Sequence, residues 1–568
     1  GTKGTCAHSS DFAERAMIMR RISILMYVVM ALFQCPRTAA RVAAGGQLQS
    51  GGGFRIAGRV VNAKAGTPLE RARVSITDTK NPQRSLSVLT SDDGQFQFNG
   101  LPAGKFALEG AKRGFIRAAY DHHDQFSTAI VTGAGLDMES LILRLDPVAV
   151  LSGKILDETG DPVRHASVTL YREDRFSGVS RIHRFRETQT DDQGSYELTP
   201  LDAGTYFVAA KAKPWYEVHP AKARASGSEN STVLVDSALD VAYATTFYGD
   251  TTESEEATPI PVRGGDRLEA DIHLNPVPAL HLLMQVPNNH NNGITMPVLQ
   301  SNAFDGSEQV EMGGLQMVSP GLYEITGIPP GRYAAHFPSN GQMGEATQID
   351  LTTDGQELAR PSGEAPSTLK VKVQLARQEK LPSELFVGLR DPKGRMVAGA
   401  QVDEQGQADF GPVAAGSYNL FAGSSQVAYS VVRISSQGAE SSGHTLNVVA
   451  GSPMNVTLTL LAGVVNVEGF AKRSGKAVPG VMIALVPKDP ANNRELFRRD
   501  QSDLDGSFSL HSVVPGTYSV VAIENGWELN WAQPEVIARY AEHGQLMTID
   551  KRNQGTVHLP SVVEVQPR

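Results

Sequence analysis

Five times along the chain a glycine stands two residues before an aromatic residue, and eight residues past that aromatic the pair recurs. The copies are Gly94, Phe96, Gly104 and Phe106; then Gly194, Tyr196, Gly204 and Tyr206; then Gly321, Tyr323, Gly331 and Tyr333. The fourth is Gly406, Ala408, Gly416 and Tyr418, with Ala408 in place of the first aromatic, and the fifth is Gly506, Phe508, Gly516 and Tyr518. A branched apolar residue always lies three positions before the second glycine: Leu101, Leu201, Ile328, Val413 and Val513. The second glycines are spaced by 100, 127, 85 and 100 residues. A unit of about 100 residues can bury a core of its own, so the repeat predicts a string of separate domains rather than a solenoid.

The pattern has a direct physical reading. Pairs such as Asp93-Gly94 and Asp505-Gly506 supply the positive φ of a tight hairpin turn. The alternation that follows, as in Phe96-Gln97-Phe98, predicts a strand with one buried face. Segments of the Leu101-Pro102-Ala103-Gly104 type predict a second turn, closed by its glycine. The aromatic after it (Phe106, Tyr206, Tyr333, Tyr418, Tyr518) re-enters the core, and a tyrosine there can anchor the corner through its hydroxyl. Modules one, two and five add an earlier signature: Gly58-Arg59-Val60, Gly153-Lys154-Ile155 and Gly469-Phe470, followed by Pro68-Leu69 with Ala72-Arg73-Val74, Pro162-Val163 with Ala166-Ser167-Val168, and Val478-Pro479. Short alternating strands with turns every eight to twelve residues or so predict an antiparallel sandwich.

The expected fold class is therefore all-β, a tandem array of about five antiparallel β-sandwiches with one short C-terminal helix. The helix begins with Pro534 at its first position, puts Val536, Ile537, Tyr540 and Ala541 on one face and stops at Gly544. The expected boundaries are 45–147, 148–278 with a turn-rich extension, 279–353, a linker at 354–366, 367–462, and 463–568.

Ahead of the array, residues 17–44 read as an export signal. Arg20 and Arg21 precede a short apolar run, and small residues follow, with cleavage after Ala40 or Ala44. Residues 1–16 then read as an upstream over-read. The alternative, a lipid-modified Cys35, meets the large Phe33 and Gln34 where small residues belong. Cys6 and Cys35 are the only cysteines, which excludes a disulfide scaffold and a cysteine-ligated zinc. The net charge of −9 without a basic stripe argues against nucleic acid, and no later run is long enough for a membrane helix. The expected location is periplasmic, outer-membrane-associated or extracellular.

The pattern Gly58-Arg59-Val60, Pro68-Leu69, Ala72-Arg73-Val74, Asp93-Gly94-Gln95-Phe96 and Leu101-Pro102-Ala103-Gly104 resembles the carboxypeptidase regulatory-like domain. Modules two and five resemble it nearly as well, while modules three and four keep only its second half. The resemblance implies transthyretin-like, seven-stranded sandwiches that are Ig-like in build, non-catalytic and grouped with carbohydrate-binding-like folds. Long exported arrays of this style resemble those of acidobacteria.

No catalytic motif accompanies the repeats: no histidine has Glu three residues on, and His-Glu-x-x-His, Gly-x-Ser-x-Gly and the P-loop are absent. No catalytic residue, metal site or cofactor is expected. Asp121-His122-His123-Asp124 has metal-ligand types, but neighbours on a strand diverge, and an inter-strand loop explains it. The acidic turns at Asp92-Asp93, Asp191-Asp192 and 503–505 lack the ligand count of a calcium loop. Trp527, Trp531 and Tyr540 form a candidate ligand platform, weighed against a role in pinning the helix to the fifth sandwich, and Trp215-Tyr216 shares that ambiguity. A Lys–Asn or Lys–Asp cross-link is a further option that sequence cannot place. The expected function is binding or spacing at the cell envelope, with a polysaccharide or an envelope or extracellular protein as partner. The alternatives are a structural or adhesion stalk and an accessory subunit of an envelope hydrolase or transporter.

Overall fold

Alternation in the repeats produces strands. Gln95–Leu101 buries Phe96 and Phe98 and turns Gln95, Gln97 and Asn99 to solvent, and Ser195–Leu201 repeats this with Tyr196 and Leu198 inside. The computed structural model describes residues 53–568 apart from 134, 221–235, 286–296, 338–345, 359–366, 377–380, 383, 392–395, 425–426, 428, 438–440, 443–444, 450, 452, 464, 492 and 551. The segments read as over-read and export signal lie outside the described residues.

The array is all-β, with one α-helix among the described residues. In module four, one sheet runs Gln407–Val413, Ser367–Leu375, Met454–Ala462, Tyr429–Gln437. The facing sheet is built on Phe386–Arg390 and Gly416–Gly423, and Leu369, Val387, Tyr418 and Leu458 share one core between the two. Module three likewise stacks two four-stranded sheets around Leu282, Leu299, Ile325 and Tyr333.

A departure from a purely antiparallel design recurs in every module: the first and last strands run parallel. Phe54–Asn62 takes Leu141–Leu145, with Gly58 opposite Leu141. Ala149–Leu156 takes Arg267–Glu269 and Ile272–His273; Leu280–Gln285 takes Gln356–Leu358; Ser367–Leu375 takes Met454–Ala462. Val465–Arg473 takes Gly555–His558 and Val563–Gln566. A parallel pair needs a long crossover, and here the rest of the module supplies it, so each sandwich closes on its own first strand. This explains Gly58 and Gly153: a Cβ there would lie 2.2 Å from the carbonyl of Leu141 and 2.3 Å from that of Ala270, both beside the closing strand. It also claims part of the stretch read as a linker. Gln356–Leu358 is the closing strand of module three, with Leu358 buried.

The helix is Pro534–Ala541, with proline in its first turn, Ile537 buried and Val536, Tyr540 and Ala541 half-buried. Modules are also joined by shared cores. Phe304, at the tip of a hairpin in module three, packs its ring 4.8 Å from Phe207, 5.0 Å from Tyr171 and 5.4 Å from Phe247 of module two. Around this plug Lys211 pairs with Glu308 at 2.8 Å, and Ile182 N–H donates to Asp305 at 2.7 Å.

Candidate functional site

The repeat residues hold two different devices. Every first glycine is left-handed: φ is +75° at Gly94, +67° at Gly194, +85° at Gly321, +80° at Gly406 and +77° at Gly506. In four modules its carbonyl accepts from the first strand, at Val60, Ile155, Val373 and Ala471, over 2.7–2.9 Å. In modules two and four the acidic residue serves its own turn: Asp191 accepts from the N–H groups of Gln193 and Ser195, and Asp403 from those of Gln405 and Gln407. Among the described residues no group of three His, Cys, Asp or Glu is placed to hold a metal ion.

The second glycines act through space rather than through φ. At Gly331, Gly416 and Gly516 a Cβ would stand 2.9–3.2 Å from the hydroxyl of the tyrosine two residues on, while Gly104 and Gly204 leave 3.8 and 3.5 Å to their rings. Each tyrosine folds back over the glycine and donates to the carbonyl four residues before it. Tyr206 reaches Asp202 at 3.0 Å, Tyr333 reaches Pro329 at 2.6 Å, Tyr418 reaches Ala414 at 3.1 Å and Tyr518 reaches Val514 at 2.7 Å. Burial raises the phenols of Tyr206 and Tyr333, and that of Tyr518 to about 12, so they remain donors at neutral pH. Phe106 fills the same buried position in module one without a hydroxyl.

The chemistry-bearing residues singled out in modules one and five meet in one place. Arg498–Gln501 is an edge strand of module five, and its alternate residues face opposite ways. Arg498 bonds inward, to the carbonyl of Ser512 at 3.1 Å, and Asp500 accepts from Ser509 N–H at 2.6 Å. Arg499 and Gln501 face module one. Gln501 donates to Thr128 Oγ1 at 2.8 Å and to the Asp121 carbonyl, and its Oε1 lies 3.1 Å from His123 Nδ1. Arg499 bonds Asp124 at 3.2 Å and lies 4.3 Å from the ring centroid of Trp531, 5.3 Å from Phe126 and 5.7 Å from Trp527. His123 stacks on Trp527, 5.2 Å between centroids and 6° between planes.

The next turn seals the contact. Lys105 of module one binds Asp503 at 2.6 Å and Ser507 at 2.8 Å, while Ala129 N–H donates to Asp503 at 3.0 Å and Leu504 N–H to the Ala129 carbonyl at 3.0 Å. Burial depresses the Arg499 guanidinium, raises Asp503 against the opposing pull of Lys105, and pushes Asp500 up to about 7. Module two closes the other side. Ala532 N–H donates to the Gly178 carbonyl at 2.9 Å, Ser180 N–H donates to Asn530 Oδ1 at 3.0 Å, and a Cβ at Gly178 would stand 2.7 Å from Trp531.

This corrects the platform read from Trp527, Trp531 and Tyr540. Trp531 is only 8% exposed, Trp527 gives its indole N–H to the Gly480 carbonyl at 3.2 Å, and Tyr540 packs in the same cluster as Ile537 and Met482. These rings pin the helix and hold modules one, two and five together; they do not stand free. Asp121-His122-His123-Asp124 likewise belongs to the junction through Asp121, His123 and Asp124. Trp215 is the opposite case, 87% exposed, with Tyr216 edge-on at 5.6 Å and its hydroxyl bonded to Glu158 at 2.5 Å.

Fold and junction together define a multi-domain β-sandwich protein whose modules are joined by specific side-chain contacts. Residues 55–130 and 150–240 match the carboxypeptidase regulatory-like domain, and residues 461–545 match the second beta sandwich domain of the BOS complex subunit NOMO1-like family. The chain thus carries tandem carboxypeptidase regulatory-like domains in modules one and two, and module five matches the related NOMO1-like sandwich model. No curated protein matches the chain. Among solved structures, the Bacillus anthracis TIE protein is 12% identical, over 73% of this chain and 75% of that one, with a TM-score of 0.17. The minor pilin GBS52 of Streptococcus agalactiae is 14% identical, over 40% of this chain and 97% of that one, with a TM-score of 0.20. The shaft pilin SpaA of Lactobacillus rhamnosus GG is 11% identical, over 40% and 98%, with a TM-score of 0.18. At these scores the likenesses add nothing to the fold described above.

Proposed function

We propose that this chain is an exported, non-catalytic β-sandwich array that works by binding and spacing at the cell envelope or outside the cell. The observation that carries this reading is the Arg499 junction. It commits the residues of module five with the strongest binding chemistry, Trp527, Trp531 and Arg499, to fixing modules one, two and five against one another. Side chains used this way hold the surrounding loops at set positions, which is what a spacer or a multi-point binder requires. The exposed Trp215 is the aromatic best placed to touch a partner from outside the junction.

The test is retention of the whole chain on a panel of polysaccharides and on envelope proteins, with Trp215→Ala beside a Trp527→Ala/Trp531→Ala double variant. Retention is expected to fall in Trp215→Ala at unchanged stability, and the double variant is expected to lose stability first. Retention that depends on Trp527 and Trp531 in a chain of undiminished stability rejects the junction as the role of those rings.

A further inference from the structure

A second convergence of modules lies away from the Arg499 junction, and it carries charge without partners. A cleft of about 730 Å³ opens between modules two, three, four and five. Arg181 comes from module two, Arg390 from module four and Arg494 from module five, and all three line it. Among the described residues none of the three guanidiniums has a carboxylate within ion-pair distance or a side-chain hydrogen bond. Arg390 holds its guanidinium carbon over the Phe421 ring, 4.1 Å from the centroid, which positions its fork in the cleft. Burial depresses the Arg390 guanidinium, Glu495 opposes that, and Arg181 and Arg494 add to it, so the three cations feel one another across the cleft.

Three guanidiniums against the two carboxylates of Asp305 and Glu495 leave the empty cleft with an excess of positive charge, and an anion bound between them lowers its energy. The rest of the lining narrows the anion. Asp305 and Glu495 also face the cleft, and a buried oxygen of Glu495 has no hydrogen-bond partner. Two carboxylates repel a densely charged polyanion but accept well from hydroxyls. Val179 and Met396, the latter 63% exposed, offer apolar surface between them. Forked donors, separate acceptors and apolar patches in one open cleft match a ligand with isolated carboxylates among many hydroxyls and C–H faces.

We propose that this cleft binds a carboxylate-bearing oligosaccharide, with Arg181, Arg390 and Arg494 taking the uronic carboxylates and Glu495 accepting from ring hydroxyls. The inference goes beyond binding-and-spacing in general, because it names a site and a ligand class that a bare spacer does not need.

The experiment is calorimetric titration of the whole chain with tetragalacturonate, with its methyl-esterified form and with tripolyphosphate, at two salt concentrations. Tetragalacturonate is expected to bind, the ester to bind at least tenfold more weakly, and added salt to weaken binding. Arg494 is exposed, so Arg494→Gln leaves the fold intact and is expected to weaken binding about tenfold; Arg181→Gln/Arg494→Gln is expected to abolish it. Equal binding of the ester, or full binding by the double variant, overturns the site. Tripolyphosphate binding as tightly as the saccharide overturns the ligand class in favour of a plain anion site. None of these failures touches the spacing role, whose test runs through Trp215 and the Arg499 junction.

Discussion

Asp500 makes the junction strand sensitive to pH, and replacing it by asparagine measures by how much. Its carboxyl is buried behind Arg499 and Gln501 and sits in the field of Asp503, while the N–H groups of Ser509, at 2.6 Å, and Gln501, and then the charge of Lys105 of module one, pull the other way. Burial is the leading cause of its rise from 3.8 to about 7. The unfolded chain releases this proton near pH 4 and the folded chain keeps it until about pH 7. The folded state therefore binds the extra proton in that window, and stability falls as pH rises through it. A rise of that size corresponds to about 4 kcal/mol, the ceiling of the penalty carried above pH 7. Asp500→Asn keeps an acceptor for Ser509 and loses the one facing Gln501 N–H, which costs about 1 kcal/mol. The variant is thus expected to be about 3 kcal/mol more stable than the parent at pH 8 and to lose that advantage by pH 4. Urea unfolding followed by tryptophan fluorescence, in a Trp215→Phe background so that Trp527 and Trp531 report, reads it directly. An Asp500→Asn chain with the parent's slope of stability against pH between 4 and 8 would refute the reasoning.

Other perturbations probe the remaining contacts. Arg499→Ala strips the cation from Trp531 and leaves Asp124 without it, so a loss of about 2–4 kcal/mol and easier acrylamide quenching of Trp527 and Trp531 are expected. Tyr518→Phe removes the bond to the buried Val514 carbonyl and should cost about 1–3 kcal/mol, read from the urea midpoint of module five. Gly506→Ala forces a Cβ to 2.5 Å from the Ala471 carbonyl at φ +77° and should cost more than about 2 kcal/mol. Gly66→Ala, at φ +67° with nothing within 4 Å, should cost only about 1 kcal/mol, read from the urea midpoint of module one.

What the sequence discloses divides along one line: contacts with a local pattern are legible and contacts between modules are not. The turn glycines, the alternating strands and the tyrosines over Gly331, Gly416 and Gly516 all lie within a dozen residues of their partners, so spacing carries them. The helix announces itself through Pro534 and the apolar face of Ile537 and Tyr540 in the same way. The parallel closure leaves one trace, Gly58 and Gly153, but a glycine in a strand does not say whose backbone approaches it. The closing strand of module three, Gln356–Leu358, is three residues long and too short to show alternation.

The junction leaves its residues in view and its geometry hidden. His123 and Trp527 both stand out as residue types, yet Asp124 and Arg499 meet across 375 positions, and no periodicity encodes that meeting. Aromatics on turn-rich segments read equally as ligand platforms or as contacts to another module. Arg499 carries no signal at all. A lone arginine on an edge strand is ordinary, and only the surrounding rings of Phe126, Trp527 and Trp531 mark it as the centre of a contact.

Coupling of touching amines and carboxylates by a zero-length carbodiimide, followed by mass spectrometry of the whole chain, tests most directly that modules one and five are locked together. Lys105 and Asp503 stand 2.6 Å apart, so a peptide pair joining them is expected, and Arg499→Ala should reduce its yield. The exposed Lys370–Asp409 pair within module four, 3.9 Å apart, serves as the internal standard. Coupling of Lys370 to Asp409 with no link between Lys105 and Asp503 would contradict the junction.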